Sequence, residues 1–313
     1  MIHPLPVRVS WAARSESSLL SLAKEKYALP DKMRPPSVEG PRAAFLRRLA
    51  SVPLLGSLNY FLVPCVPLAG WEILARLEIF PKQFFPSPLT VVRTWVVWTF
   101  GSGRGMYVGS WGDAALASAG RVFLGFLISA TLAVCLGILM GYFGVCFKAL
   151  DPIIQLLRPI PTTAWIPMAI LFFGFEAKAS IFLIVYGSFF PIVLNTMAGV
   201  QRVDQVLLKV GRMCGASSLQ LLRYFVFPAA LPYIFTGLRL GLGVSWVLIV
   251  VAEMLAVKSG LGYDLLNAYS FYRYDIIVGA MISVGVLGFL SDRFLLAVER
   301  HVLSWRKGVG IHG

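Results

Sequence analysis

Residues 201–233 read QRVDQVLLKVGRMCGASSLQLLRYFVFPAALPY. They separate two apolar stretches. Residues 179–201 carry no charge across 23 positions, and 233–257 are apolar apart from Arg239 and Glu253 near the two ends. Thirty-odd residues is long for an idle connection. Val206, Val210 and Met213 recur at helical spacing, with Lys209 and Arg212 on other faces. Gly215 permits a sharp change of direction, and Ala216-Ser217-Ser218 restarts a helix under a serine cap. Leu219 continues that second helix, and Pro228 and Pro232 punctuate the return. A short helix–glycine–helix element of this kind can press an apolar face on a partner, or rest as an amphipathic helix on lipid. Periodicity alone does not choose between the two.

The surroundings are those of a membrane. Of 313 residues, 58% are hydrophobic and 14% charged, with mean hydropathy +0.76. Soluble domains average about 45–50% apolar and about 25% charged. The chain has too few charges to cover a water-facing surface, so a soluble domain is excluded. Its net charge is +13. Basic and apolar together point to a membrane protein with cationic cytoplasmic ends; nucleic-acid binding would need a polar basic face. Cys65, Cys135, Cys146 and Cys214 form no C-x-x-C pair and read as packed thiols. His3, His301 and His312 sit at the chain ends, which excludes a histidine metal or catalytic centre in the apolar body.

Uncharged runs over 49–71, 122–143, 159–175, 179–201 and 276–291, with 233–257, predict six spans, since a spanning helix needs about 20 apolar residues. These are placed at 55–77, 120–143, 160–176, 179–200, 232–257 and 275–297. Prolines 159, 161 and 167 interrupt the third. Broken backbone is tolerated in a membrane only inside protein or beside a water-lined cavity, so this span is a candidate pathway-lining element. Gly137/Gly141 and Gly237/Gly241, with Gly243 following, have the G-x-x-x-G spacing of closely packed helices; packing within the chain is the plain reading.

Residues 1–52 read as a basic, partly disordered extension with a short helix over 16–27, and no secretory signal. The membrane-spanning domain then covers 53–304, including the long loop at 201–230, and a tail follows at 305–313. With the N-terminus inside, eighteen basic residues fall on the cytoplasmic side: nine before the first span, then Lys148, Arg202, Lys209, Arg212, Arg223, Arg293, Arg300, Arg306 and Lys307. Seven fall outside: Arg76, Lys82, Arg93, Arg104, Lys178, Lys258 and Arg273. The asymmetry orients both ends to the cytoplasm.

The loop resembles the signature of bacterial ABC-importer permeases: Glu-Ala-Ala, three residues, glycine, nine residues, Ile-x-Leu-Pro. Gly215 takes the glycine position, and Phe225-Val226-Phe227-Pro228 keeps the glycine-to-proline spacing. Further stretches resemble the nitrate/sulfonate/taurine/bicarbonate branch: Phe85-Pro-Ser-Pro-Leu-Thr90, Leu157-Arg-Pro-Ile-Pro-Thr-Thr-Ala-Trp-Ile-Pro167, Phe190-Pro-Ile-Val-Leu-Asn195 and Val-Ala-Glu-Met-Leu255. The likeness runs over about 53–307. It departs at Lys209-Val210-Gly211, where the family's glutamate is missing and its charge reversed.

The resemblance implies an all-α integral membrane fold of the type I ABC importer permease (MetI-like) kind. It implies two permease copies, here a homodimer, two ATPase subunits that use ATP and Mg, and a periplasmic or lipid-anchored substrate-binding protein. A small anion is the implied substrate: nitrate, bicarbonate, taurine or an alkanesulfonate. Val206, Lys209, Val210, Arg212, Met213, Gly215, Ala216, Ser217, Leu219 and Pro228 then couple to the ATPase. The chain has no G-x-x-x-x-G-K-[ST] phosphate cradle, so ATP hydrolysis must come from another chain. It reads as a transporter subunit, with membrane lipid around it, no nucleic-acid partner, no catalytic residues and no bound cofactor or metal.

Candidate pathway residues are Pro161, Trp165, Tyr186, Ser188, Asn195, Arg239, Trp246 and Glu253. Ionisable groups within spans are functional candidates by default. Arg239 reads either as a side chain snorkelling to the interface or as an anion-attracting charge. Glu253 lies about 20 Å further along the same helix, so the two cannot pair, and it reads as a structural partner for a basic residue or as a pathway acid. Asn195 can hydrogen-bond across helices. The aromatics and Ser188 either pack or line the path. Two rivals remain: a stand-alone secondary transporter or channel, and an intramembrane enzyme, which the isolated acids and absent histidines disfavour.

Overall fold

The computed structural model describes residues 53–77, 81, 84–103 and 105–304, with side chains from residue 65 onward. The predicted extension at 1–52 and tail at 305–313 lie outside the described residues. A helix α1 covers Pro53–Arg76, matching the first predicted span. Contacts divide the chain within α1, and the larger compact unit begins at Pro67. The described residues contain no strand.

After α1 come α2 (Pro88–Phe100), α3 (Trp111–Tyr142), α4 (Gly144–Leu157), a tight turn over Thr162–Trp165, α5 (Ile166–Phe173) and α6 (Ala177–Gln201). The loop region forms α7 (Gln205–Met213) and α8 (Ser218–Leu221), which runs through a wide turn over Leu222–Val226 into α9 (Phe227–Ala256). Helices α10 (Leu261–Ser270) and α11 (Tyr274–Val302) follow. Among the described residues, four stretches are long and apolar enough to cross a bilayer: α3, α6, the run Ser218–Ala256 and α11.

Helices α3, α6 and α9 form the centre of the unit, packing Val122, Phe126, Ala133, Met140, Ile184, Ile192, Val193, Leu242 and Ile249 together. Glycines set their spacing. A Cβ on Gly137 would lie 2.7 Å from Thr196 Cβ, and one on Gly237 2.9 Å from Asn195 Cβ. Gly141 and Gly241 meet Val200 and Ile192 in the same way. Both G-x-x-x-G pairs therefore serve packing within the chain, through van der Waals contact that lipid cannot match. Gly243 faces open space.

Two predictions are corrected. The second span begins at Trp111, not near residue 120. Arg121 lies well inside it instead of at its start, and its side chain finds a buried partner there. The third predicted span, 160–176, is not one helix. Helices Gly144–Leu157 and Thr162–Phe173 meet at 84°, and the eight residues of α5 rise only about 12 Å against a hydrocarbon core of about 30 Å. The Tyr142 hydroxyl, at the end of α3, donates to the carbonyl of Ser218 in the loop. Helix α5 packs instead on Ala179 and Leu183 of α6 and on Ala252 and Ala256 of α9, at the opposite end. The bent pair thus carries the chain across as a broken crossing. The prolines sit where they cost least: Pro161 before the tight turn, and Pro167 in the first turn of α5, where no intrahelical donor is lost.

Candidate coupling and translocation elements

The 201–233 loop is rigidly built. Asp204 caps α7, its carboxylate accepting from the Val206 N–H at 2.8 Å. Gly215 takes φ +80°, a left-handed conformation that closes α7 and turns the chain. Ser217 and Gln220 form a reciprocal capping box at the start of α8, with the Ser217 N–H donating to Gln220 Oε1 at 2.7 Å. Pro228 offers no N–H to the carbonyl behind it, and the backbone widens over Leu222–Val226 just before it. The loop is tied to the spans at two points. The Tyr142 hydroxyl donates to the Ser218 carbonyl at 3.2 Å, and Arg202 donates to the Tyr233 hydroxyl at 3.0 Å while lying over its ring.

Helix α7 has two unlike faces. Leu208 and Gly211 are buried, Gly211 against Leu221, and Leu208 in a cluster with Val200, Val203, Val226, Ala230 and Ile234 at the ends of α6 and α9. Val206, Val210 and Met213 are on the other side, and Met213 is 87% exposed. Leu219 is exposed as well, as are Lys209, Arg212 and Ser217. Ala216 and Pro228 are half-buried, and with Gly215 they shape the element and add little surface to it.

The eight pathway candidates do not converge on one place. Pro161, Trp165 and Tyr186 belong to the broken crossing. Trp165 and Tyr186 lie 5.2 Å apart between ring centroids, Tyr186 and Phe190 5.1 Å, and the Tyr186 hydroxyl donates to the Leu157 carbonyl at 3.0 Å across the break. The buried Trp165 Nε1 has no hydrogen-bond partner among the described residues. Ser188 is buried and donates to the Ile184 carbonyl of its own helix at 2.7 Å. Asn195 donates to the Pro191 carbonyl at 2.7 Å, also within its own helix and not across helices as the sequence suggested.

Arg239 is not a lone charge. It forms a bidentate pair with Asp292 of α11, at 2.9 and 3.1 Å. Trp246 is buried two turns further along and donates to Ser291 Oγ at 2.8 Å. Both line a cavity of about 620 Å³ between α9 and α11, walled by Leu242, Val247, Val250, Met281 and Phe289. The cavity is open and apolar, with the ion pair at one end.

Glu253 stands in a third place, toward the end opposite the loop. It has no exposed surface. Its carboxylate accepts from Arg121 Nη1 at 2.5 Å, from Ser118 Oγ at 2.7 Å and from the Gly262 N–H at 3.0 Å. Arg121 also donates to the Ser259 carbonyl at 2.8 Å, and the Leu261 N–H donates to Ser118 Oγ at 2.9 Å. This network ties α3, α9 and the start of α10 together, which makes Glu253 a structural ion-pair partner. On α10, outside the spans, burial and then the nearby Glu253 charge push the Asp264 carboxyl up to about 6.

Arg121, Asp292 and Ser118 escaped the sequence reading. Arg121 and Asp292 each sit one residue beyond an uncharged run, at positions 121 and 292. Pairing opposite charges at matching depth on neighbouring spans would have found both.

Comparison with known proteins agrees with this architecture. The family described as binding-protein-dependent transport system inner membrane component matches residues 133–304. The nitrate import permease of Synechocystis sp. is 39% identical over 241 residues, covering 76% of this chain and 86% of that one. A Bacillus subtilis permease named for aliphatic sulfonate transport is 35% identical over 251 residues, covering 80% and 88%. Among solved structures, the methionine ABC transporter MetNI in inward-facing conformations superposes with a TM-score of 0.54 at 17% identity, covering 61% of this chain and 95% of that one, a likeness of fold. The chain belongs to the family of binding-protein-dependent transport system inner membrane components, the multi-pass permease subunits of ABC transporters.

Proposed function

We propose that this permease forms the translocation pathway of an ATP-driven importer for a small anion such as nitrate, bicarbonate, taurine or an alkanesulfonate, working as a homodimer. The loop around 204–222 faces the cytoplasm and seats in a separate ATPase subunit that binds ATP and Mg. A periplasmic or lipid-anchored binding protein delivers the anion at the other end. One observation carries the coupling role: α7 and α8 are capped, tied to three spans, and present an exposed apolar face. A contact that transmits force must be stiff and adhesive; the caps and tethers support the first and the exposed apolar face the second.

The positive-inside count supports the orientation, with Lys209, Arg212 and Arg223 in the loop itself. The names of the nitrate and sulfonate relatives support a small anion. The aromatic break at Trp165 and Tyr186 and the cavity beside Trp246 are the places where the pathway can run. Arg239 contributes there as half of an ion pair, so its attraction for an anion is offset by Asp292. Removal of residues 206–222 tests the proposal. The shortened permease is expected to reach the membrane and lose the ATPase subunit on pull-down, and an intact complex would contradict it.

A further inference from the structure

The loop's charges are one-sided. Between 201 and 233 the only acid is Asp204, whose carboxylate is engaged in capping α7. Four basic residues share the segment. Arg202 is held by Tyr233, and Arg223 lies over the Tyr224 ring. Lys209 and Arg212 have neither an ion pair nor a hydrogen-bonded side-chain partner among the described residues. Successive residues of a helix turn by about 100°. With Leu208 and Gly211 facing the span ends, Val206, Val210 and Met213 point the opposite way, Lys209 borders them, and Arg212 lies on the flank. The apolar face is therefore turned away from the membrane-spanning helices, whereas a helix resting on lipid turns that face toward the bilayer.

We infer that the ATPase subunit receiving this loop offers an apolar groove edged with Asp or Glu side chains set opposite Lys209 and Arg212. The inference rests on the loop being the ATPase docking element, and adds the chemistry of the partner. Seating two cations against an apolar or basic edge would strip their water without replacing it, so only an acidic edge makes the contact favourable and selective. Partner choice between related transporters would follow from this charge match.

The test uses the full-length permease in nanodiscs and its purified ATPase subunit, with affinity measured across salt from about 0.05 to about 0.5 M. Lys209→Glu with Arg212→Glu is expected to weaken binding at low salt by at least about tenfold, with the deficit shrinking as salt rises. The milder pair Lys209→Gln with Arg212→Gln should fall between, and serves if the reversed variant is not monodisperse. Met213→Asp should weaken binding at every salt concentration. If both charge variants bind like the parent while Met213→Asp does not, the loop docks but the groove is not acidic, and the inference fails alone. If all three bind like the parent, the docking reading fails with it, as when the face lies on lipid.

Discussion

Glu253 accepts hydrogen bonds from donors on α3 and α10, with no exposed surface of its own. A buried pair adds little against an apolar substitute, but removing one partner strands a charge. Arg121→Ala is therefore expected to cost about 3–5 kcal/mol, seen as a fall in the thermal midpoint in detergent. The double variant Arg121→Met with Glu253→Met should lose less than Arg121→Ala alone, and the reverse order would contradict the account. Gly260 has φ +108°, and a Cβ there would meet the Glu253 carboxylate, so Gly260→Ala should be comparably damaging.

Asp264 adds a pH dependence. Its carboxyl titrates near 6 in the folded protein and at about 3.9 in an unfolded chain. The folded state thus holds its proton more tightly. The associated stability is fully present below about pH 4 and lost as pH rises through 6. The parent should unfold more easily at pH 7.5 than at pH 5, and Asp264→Asn should flatten that difference in parallel melting curves.

At the scale of elements, the glycine seams separate tolerated from forbidden changes. Gly137→Val would push a branched side chain into Thr196 and the Val193 carbonyl. It should abolish the monodisperse peak in gel filtration, whereas Gly243→Ala, facing open space, should leave it unchanged. The long elements were legible in the sequence because α3, α6, α9 and α11 each contain a long apolar run with few or no charges. The loop was legible because its cap, glycine and proline each have a local mechanism: Asp204, Gly215 and Pro228 act within a few residues of themselves. What counting could not reach was pairing. Arg121 and Asp292 fall just beyond the uncharged runs 122–143 and 276–291, and nothing local reveals the Glu253 or Arg239 that pairs with each. The break between α4 and α5 was marked by its prolines, but the 84° bend and the packing of α5 on α6 and α9 come from contacts distant in sequence. The pathway candidates were chosen by residue type and by lying in a span, which does not say which helix face they occupy, so they fell in separate places.

For the molecule as a whole, the +13 charge and the apolar surface describe one arrangement. Large apolar side chains such as Leu116 and Phe294 stay exposed on the spans, as contact with lipid requires, while four basic residues gather in the loop at one end. Under the proposed function, the loop at one end, the three-helix core and the buried ion pair at the other suit a body that tilts when its loop is pushed. The most direct measurement is uptake of a labelled small anion into proteoliposomes holding the permease, its ATPase subunit and its binding protein. Uptake is expected only with ATP inside the compartment where the loop lies, and to vanish on removal of residues 206–222. Sustained uptake by the permease alone without ATP would contradict the account and point to a stand-alone transporter or channel.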